Sequence, residues 1–311
     1  MNRRRFLPSL AAAVAGPTLL PVTGQETAEE IIDIHQHVNY HGRQNAAMIA
    51  HQRAMGVSKS VLLPAGSELT RGSTHQGKSN GLAVRVFGPD AARRVAMELP
   101  GEFVWFANEV PDLESTKAEL EKWLKAGAAG IGEQKFAVEC DGREMRLVYD
   151  IARAFGVPVL IHFQHQTYNF GFERFHKILE SYPEVTFFGH AQTFWGNIDA
   201  KHVPTDLYPK GKVTHGGLTD RWLADYPNLY GDLSAGSALN ALTRDPEHAA
   251  AFLNRHAGKL CYASDCADTV GNGEKCSGAG MRDEIRKHVT DAASRAKIFS
   301  GNAKRLIKGL A

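Results

Sequence analysis

Several protein classes are excluded by what the 311-residue sequence lacks. Its four cysteines, Cys140, Cys261, Cys266 and Cys276, fall in no C-x-x-C spacing, so neither a cysteine-paired zinc module nor a thioredoxin-like motif is predicted. No uninterrupted apolar run approaches the roughly 20 residues that cross a bilayer. The one N-terminal apolar stretch is broken by Pro8, Gly16, Pro17 and Pro21. Neither sign of charge dominates: 36 Lys and Arg face 34 Asp and Glu, for a net charge of +2. The basic residues alternate with acids, as in Arg282, Asp283, Glu284, Arg286 and Lys287, which reads as a solvated helix face and excludes a nucleic-acid partner. No glycine-rich phosphate loop follows the first predicted strand, where Asp33, His35 and His37 stand instead, so the dinucleotide-binding signature is missing.

What is present is an ordinary globular composition, 43% hydrophobic and 23% charged, able to bury a sizeable core. At the N-terminus, Arg3, Arg4, Arg5, Phe6 and Leu7 precede small and apolar residues through Ala15, a pattern that resembles a twin-arginine export signal. The expectation is a targeting segment over 1–25, recognised by the twin-arginine export machinery, and one domain over 26–311 that works in the periplasm or another extracytoplasmic space. An oxidising compartment would permit a Cys266–Cys276 disulfide across a glycine-rich loop.

Eight short runs rich in Val, Ile, Phe and Tyr recur at 31–35, 60–64, 103–108, 130–136, 158–163, 185–190, 229–233 and 260–265. Their continuous hydrophobicity suits strands buried on both faces. Helical patterns separate them, at 45–55, 90–98, 113–126, 143–155, 172–181, 218–226, 238–254 with a break near Pro246, and 281–289. Eight strands alternating with eight helices predict an α/β fold, a single-domain (β/α)8 TIM barrel. The two long connections, 65–88 and 191–217, would emerge at the C-terminal face and are candidate lids.

Residues two apart on a strand point the same way, so His35 and His37 can present two imidazoles to one point. With 14 histidines in the chain, this spacing alone is weak. It gains force because Glu133, His162, His190 and Asp265 fall at the ends of the fourth, fifth, sixth and eighth predicted strands, which surround one pocket in a barrel. A single histidine leaving an apolar strand is best read as a hydrogen-bonded structural residue. Four histidines and two carboxylates converging on one face suit a divalent metal, zinc or a neighbour of it. Asn108 and Asp232 are candidates to orient ligands. His41, Arg43, Arg71, His75, His165, Trp195 and His202 are candidates to line the mouth, each against the plainer reading of a solvated loop residue.

The ordered set Ile32-Asp33-Ile34-His35-Gln36-His37, His162, Gly189-His190-Ala191, Tyr262-Ala263-Ser264-Asp265 and Gly301-Asn302-Ala303-Lys304-Arg305-Leu306 resembles the amidohydrolase superfamily, in its branch of small TIM-barrel metal-dependent hydrolases, over nearly the whole mature chain. The resemblance implies that His35, His37 and Asp265 bind a first metal and that His162 and His190 serve a second, so that two ions are favoured over one. Glu133 would bridge them, with Lys135 a rival for that place and otherwise a substrate contact beside Arg71, His165 and Trp195. Asp265 and His190 would be catalytic. In one-metal relatives, the strand-six histidine touches substrate instead.

The implied activity is hydrolysis of a C–O or C–N bond in a small lactone, ester or amide. A one-metal decarboxylase is the rival, with a phosphodiesterase or a non-catalytic metal-binding barrel behind it. A homo-oligomer is left open.

Overall fold

The structure is a computed structural model that describes residues 29–66, 86–271, 273 and 275–311. The predicted export segment, Arg71 and His75 lie outside the described residues. Strand β1 (Ile31–Gln36) is buried at every position, as its unbroken apolar character requires. It is followed by β2 (Val57–Leu62), β3 (Phe103–Trp105), β4 (Ile131–Gln134), β5 (Val159–His162), β6 (Phe187–His190), β7 (Leu229–Leu233) and β8 (Leu260–Tyr262). All paired strands are parallel, in two arcs ordered β1-β2-β3 and β4-β5-β6-β7-β8.

Two seams close the arcs into one cycle. Ala107, just beyond β3, bridges to Ile131, and Gly132 N donates to Ala107 O at 2.9 Å. At the other seam, Asp265 N donates to His35 O at 2.9 Å. The predicted TIM barrel is therefore present. A core of Ile32, Ile34, Val61, Leu63, Phe106, Leu160, Phe188, Tyr230, Cys261 and Ala263 is continuous with Ala303, Ile307 and Leu310 of the C-terminal segment.

The helices follow the sequence signals closely. They are α1 (Asn45–Ala54), α2 (Pro89–Glu98), α3 (Thr116–Lys125), α4 (Arg143–Phe155), α5 (His176–Ser181), α6 (Ala191–Gly196), α7 (Leu218–Asp225), α8 (Ala235–Thr243), α9 (Pro246–Arg255), α10 (Ser277–His288), α11 (Ala292–Ala296) and α12 (Asn302–Leu306). Gly156 ends α4 in the left-handed region at φ 61°, where glycine carries no Cβ penalty. The predicted break near Pro246 is a division into two helices, because proline fits the first turn but not the interior. Asp245 caps α9 by accepting from His248 N at 3.2 Å. Helix α6 was not anticipated. It occupies the start of the predicted 191–217 connection and buries Phe194 and Trp195.

One ion-pair cluster ties the outer helices. Asp220 of α7 accepts from Arg255 at 2.7 and 2.9 Å and from His256 Nε2 at 2.6 Å. Burial would raise its pKa, but the His256 and Arg255 hydrogen bonds outweigh that and hold it at about 2. A carboxylate whose folded pKa lies below its unfolded value of about 3.9 contributes stability above that value and loses it as pH falls toward about 2. Asp220→Asn is expected to cost roughly 1–3 kcal/mol at neutral pH, with the gap from wild type closing between about pH 4 and pH 2 in thermal melts. An undiminished gap at pH 2 would assign the effect to packing.

Candidate metal centre

The six predicted ligands meet at the C-terminal end of the barrel. A register shift between Asp33 and Gln36 in β1 separates the roles of its side chains. Asp33 faces away toward α1, accepting from Gln52 Nε2 at 2.8 Å, while His35 and His37 bring their Nε2 atoms to 3.2 Å of each other. Asp265 Oδ1 stands 3.7 Å from His35 Nε2 and 3.3 Å from His37 Nε2. Glu133 Oε2 stands 3.7 and 3.6 Å from the same two nitrogens. Donor atoms at 2.0–2.1 Å around a tetrahedral zinc are about 3.3–3.4 Å apart, so these four atoms have the spacing of one coordination shell.

A second group meets on the other oxygen of Glu133. Its Oε1 lies 2.7 Å from His162 Nδ1 and 3.7 Å from His190 Nε2, and Asp265 Oδ2 is 3.6 Å from His190 Nε2. The groupings His35, His37, Asp265 and Glu133, His162, His190 thus share the barrel mouth, with Glu133 reaching histidines of both groups and Asp265 also reaching His190.

The hydrogen-bond partners set the tautomers. His35 Nδ1 must donate to Asp232 Oδ2 at 2.7 Å, and His37 Nδ1 to the Leu63 carbonyl at 2.7 Å, because both partners only accept. Both Nε2 lone pairs then face each other at 3.2 Å. Something positive must lie between them, a proton or a cation. Without a cation the proton sits on His35: burial would lower its pKa, but Asp265 and Asp232 raise it well above the ordinary histidine value. Asp265 Oδ1 is buried with no hydrogen bond among the described residues. The orphaned oxygen, the opposed lone pairs and three clustered carboxylates, Glu133 and Asp232 buried and Asp265 largely so, all fit a divalent cation.

Electrostatics separates the other members. Burial, reinforced by His35, holds His190 down to about 4 against the pull of Asp232, so its ring is neutral and able to ligate at pH 7. Its Nδ1 is 2.9 Å from Ser234 Oγ. Burial followed by Lys135 lowers His162, whose Nε2 is 3.2 Å from Gln164 Oε1. Its Nδ1 faces Glu133 Oε1 at 2.7 Å, so a cation at Nδ1 would leave Nε2 to donate to Gln164. Glu133 would be raised by burial, but Lys135, His162 and His35 outweigh this and hold it well below the usual carboxylate range. Asp265 is likewise held below its ordinary value, burial being outweighed by His35 and His37.

The remaining predicted residues divide. Lys135 lies just past β4, half-buried, with Nζ 5.5 Å from the Tyr168 ring centre, and it is Glu133 that reaches both ligand groups. His165 lines a cavity of about 400 Å³ with Gln164, Asn169 and Thr193, and its backbone N donates to Thr193 Oγ1 at 2.8 Å.

Trp195 is a correction. It is buried in the core, and its indole donates to Asp232 O at 3.1 Å, so it braces the strand behind the site and cannot line the mouth. Arg43 is also structural, buried and donating to Cys266 O at 2.9 Å and Asp268 O at 2.7 Å. His41 is exposed, and His202 packs its ring against Gly196. Asn108 donates to Glu133 O at 2.8 Å and to Pro64 O at 2.9 Å, which fixes the backbone of β4.

Tyr40 is a site residue that the sequence did not disclose: its ring centre is 4.8 Å from that of His37, and burial together with Asp265 pushes its phenol well above the ordinary value. A larger cleft, about 590 Å³, lies at the opposite end of the barrel against Phe103, Gly127, Ala128 and Val157, away from the ligand cluster.

Known proteins of similar architecture agree with this reading of the fold. No curated protein matches the chain. Among solved structures, 5-carboxyvanillate decarboxylase from Sphingomonas paucimobilis is 15% identical, with 86% of this chain and 84% of that chain covered and a TM-score of 0.54. The 2,6-dihydroxybenzoate decarboxylase from Rhizobium is 13% identical, with 89% and 98% covered and a TM-score of 0.53. A candidate 2-pyrone-4,6-dicarboxylic acid hydrolase from Pseudomonas putida is 17% identical, with 90% and 98% covered and a TM-score of 0.55. At these identities the likeness is one of fold. The family model Amidohydro_2, described as amidohydrolase, matches residues 32–308, and the chain belongs to that family.

Proposed function

We propose that the chain is a hydrolase that splits a C–O or C–N bond, in a lactone, ester or amide, at a centre for two divalent ions, zinc first among them. The observation that carries this reading is the division of Glu133, one oxygen toward His35 and His37 and the other toward His162 and His190. His35, His37 and Asp265 would hold the first ion, His162 and His190 the second, and Glu133 both. When bound, the ions supply Lewis acidity, polarising the scissile carbonyl and acidifying water.

The chain's own residues supply the rest. Asp265 is the ligand most open to the mouth, its side chain 12% exposed against 2% for Glu133. It would take the proton from the attacking water and return it to the departing oxygen or nitrogen as the bond breaks. Tyr40, beside Asp265, would donate to the oxygen that gains charge as the carbonyl is attacked. Lys135 and His165 would orient the substrate, and the Lys135 ammonium favours one carrying an anionic group.

A decarboxylase reading draws on the names of two similar structures but leaves the His162–His190 group without use as ligands. The test is a substrate panel run with the zinc-loaded protein in water enriched in heavy oxygen. Lactones, esters and amides should yield products carrying oxygen from water. Release of carbon dioxide from aromatic or unsaturated acids, with the esters and lactones untouched, would favour the decarboxylase.

A further inference from the structure

We infer that His51, Met55, Cys266 and Cys276 form a second metal site, separate from the barrel centre, for a soft monovalent cation such as Cu+. Cys276 Sγ lies 3.6 Å from Cys266 Sγ, 3.4 Å from His51 Nε2 and 3.6 Å from Met55 Sδ. All four residues are at least 97% buried, by exposures of 0% for His51, 1% for Met55, 3% for Cys266 and 2% for Cys276. Donors at 2.3 Å for sulfur and 2.0–2.1 Å for nitrogen around a four-coordinate ion stand about 3.5–3.8 Å apart, close to the three separations that meet at Cys276. His51, Cys266 and Cys276 also group together independently of the barrel ligands, and the two sites share no side chain.

The donors are held from behind. His51 and Met55 are four residues apart on one face at the end of α1. The Gln52 amide is oriented by donating to Asp33 Oδ2 at 2.8 Å and Ser60 Oγ at 2.6 Å, which leaves its Oε1 to accept from His51 Nδ1 at 3.2 Å. His51 therefore carries its proton on Nδ1 and aims the Nε2 lone pair at the sulfurs, Gln52 fixing the ring as a hydrogen-bond acceptor behind a ligating imidazole does. Tyr262 donates its hydroxyl to Gly278 O at 3.0 Å and stands 3.7 Å from Met55 Sδ, a longer contact that still leaves the thioether a lone pair for an ion.

Two thiolates, an imidazole and a thioether select a soft cation, and the thioether favours Cu+ over Zn2+. Binding would release the thiol protons to solvent. Because Cys266 follows Asp265 and Cys276 caps α10, an ion here would tie the loop carrying Asp265 to α1. A Cys266–Cys276 disulfide is the rival. It needs the sulfurs to close from 3.6 Å to about 2.05 Å and leaves His51 Nε2 and Met55 idle.

The test uses the reduced full chain, its barrel centre filled with Zn2+ and excess ion removed, titrated with Cu+ against bicinchoninate. One Cu+ per chain should be retained, with sulfur neighbours in X-ray absorption. The Cys266→Ser, Cys276→Ser double variant should release it. Met55→Leu, a volume-conserving change, should weaken retention roughly tenfold or more while leaving Zn2+ in the barrel untouched. Should the double variant not fold, Met55→Leu decides. Release of all Cu+ by wild type, equal retention by the double variant, unchanged affinity in Met55→Leu, or a Cys266–Cys276 disulfide in the protein as isolated would each overturn the site.

Discussion

Asp265→Asn is expected to lower turnover about 10³-fold or more while the fold persists. The amide keeps the shape of the side chain, so packing beside His37 Nε2, at 3.3 Å, is preserved. What goes is the negative charge that pairs with a cation and the base that accepts the proton of the attacking water. Both losses act on the reaction itself, so kcat should fall much more than KM rises. The same change removes a largely desolvated carboxylate that His35 and His37 help hold ionised, and the metal-free variant should melt at or above the wild-type temperature. Circular dichroism melts and steady-state kinetics read the two effects separately. Wild-type turnover in the variant would remove Asp265 from the chemistry.

Glu133→Gln should cost about 10²–10³-fold in turnover, by losing the ion held with His162 and His190. Gln retains an oxygen for His162 Nδ1, at 2.7 Å in wild type, but it no longer offsets the charge of two dications. The Lys135 ammonium, whose field helps keep Glu133 ionised, would also oppose a cation that has lost its carboxylate. His35→Ala should be more severe, since it also strips Asp232 of its hydrogen-bond donor and opens a cavity.

Much of this is legible in the sequence, and the reasons differ by element. The 143–155 helix and the 229–233 strand coincide with α4 and β7, because one has a strong amphipathic pattern closed by Gly156 and the other an apolar run with turn signals on both sides. β3 and β8 are shorter than the apolar runs suggest. Beyond them, single contacts such as Asp265 N to His35 O carry the seam in place of a regular ladder. Helix α6 escaped because six residues with Phe194 and Trp195 both buried show no polar face to mark the period.

At the site, the residues that gather are legible in the sequence because each leaves an apolar strand at the same end of the barrel. Trp195 was misplaced for the converse reason: a loop position says nothing about whether tertiary packing will bury the ring. Tyr40 sits in a short turn whose path carries no sequence signal, and the approach of His51 and Met55 to Cys276 spans more than 200 residues, as the separations of 225 and 221 record.

The two-ion centre is tested by a count of ions per chain in the protein purified with zinc, by elemental analysis with Glu133 intact and with Glu133→Gln, the thiol cluster blocked in both by the Cys266→Ser, Cys276→Ser changes. Two ions in the barrel are expected, about 3.5–4 Å apart in a crystal, falling to one when Glu133 is replaced. A single ion in wild type, retained together with full activity in Glu133→Gln, would contradict it and leave Glu133 as a hydrogen-bond partner of His162.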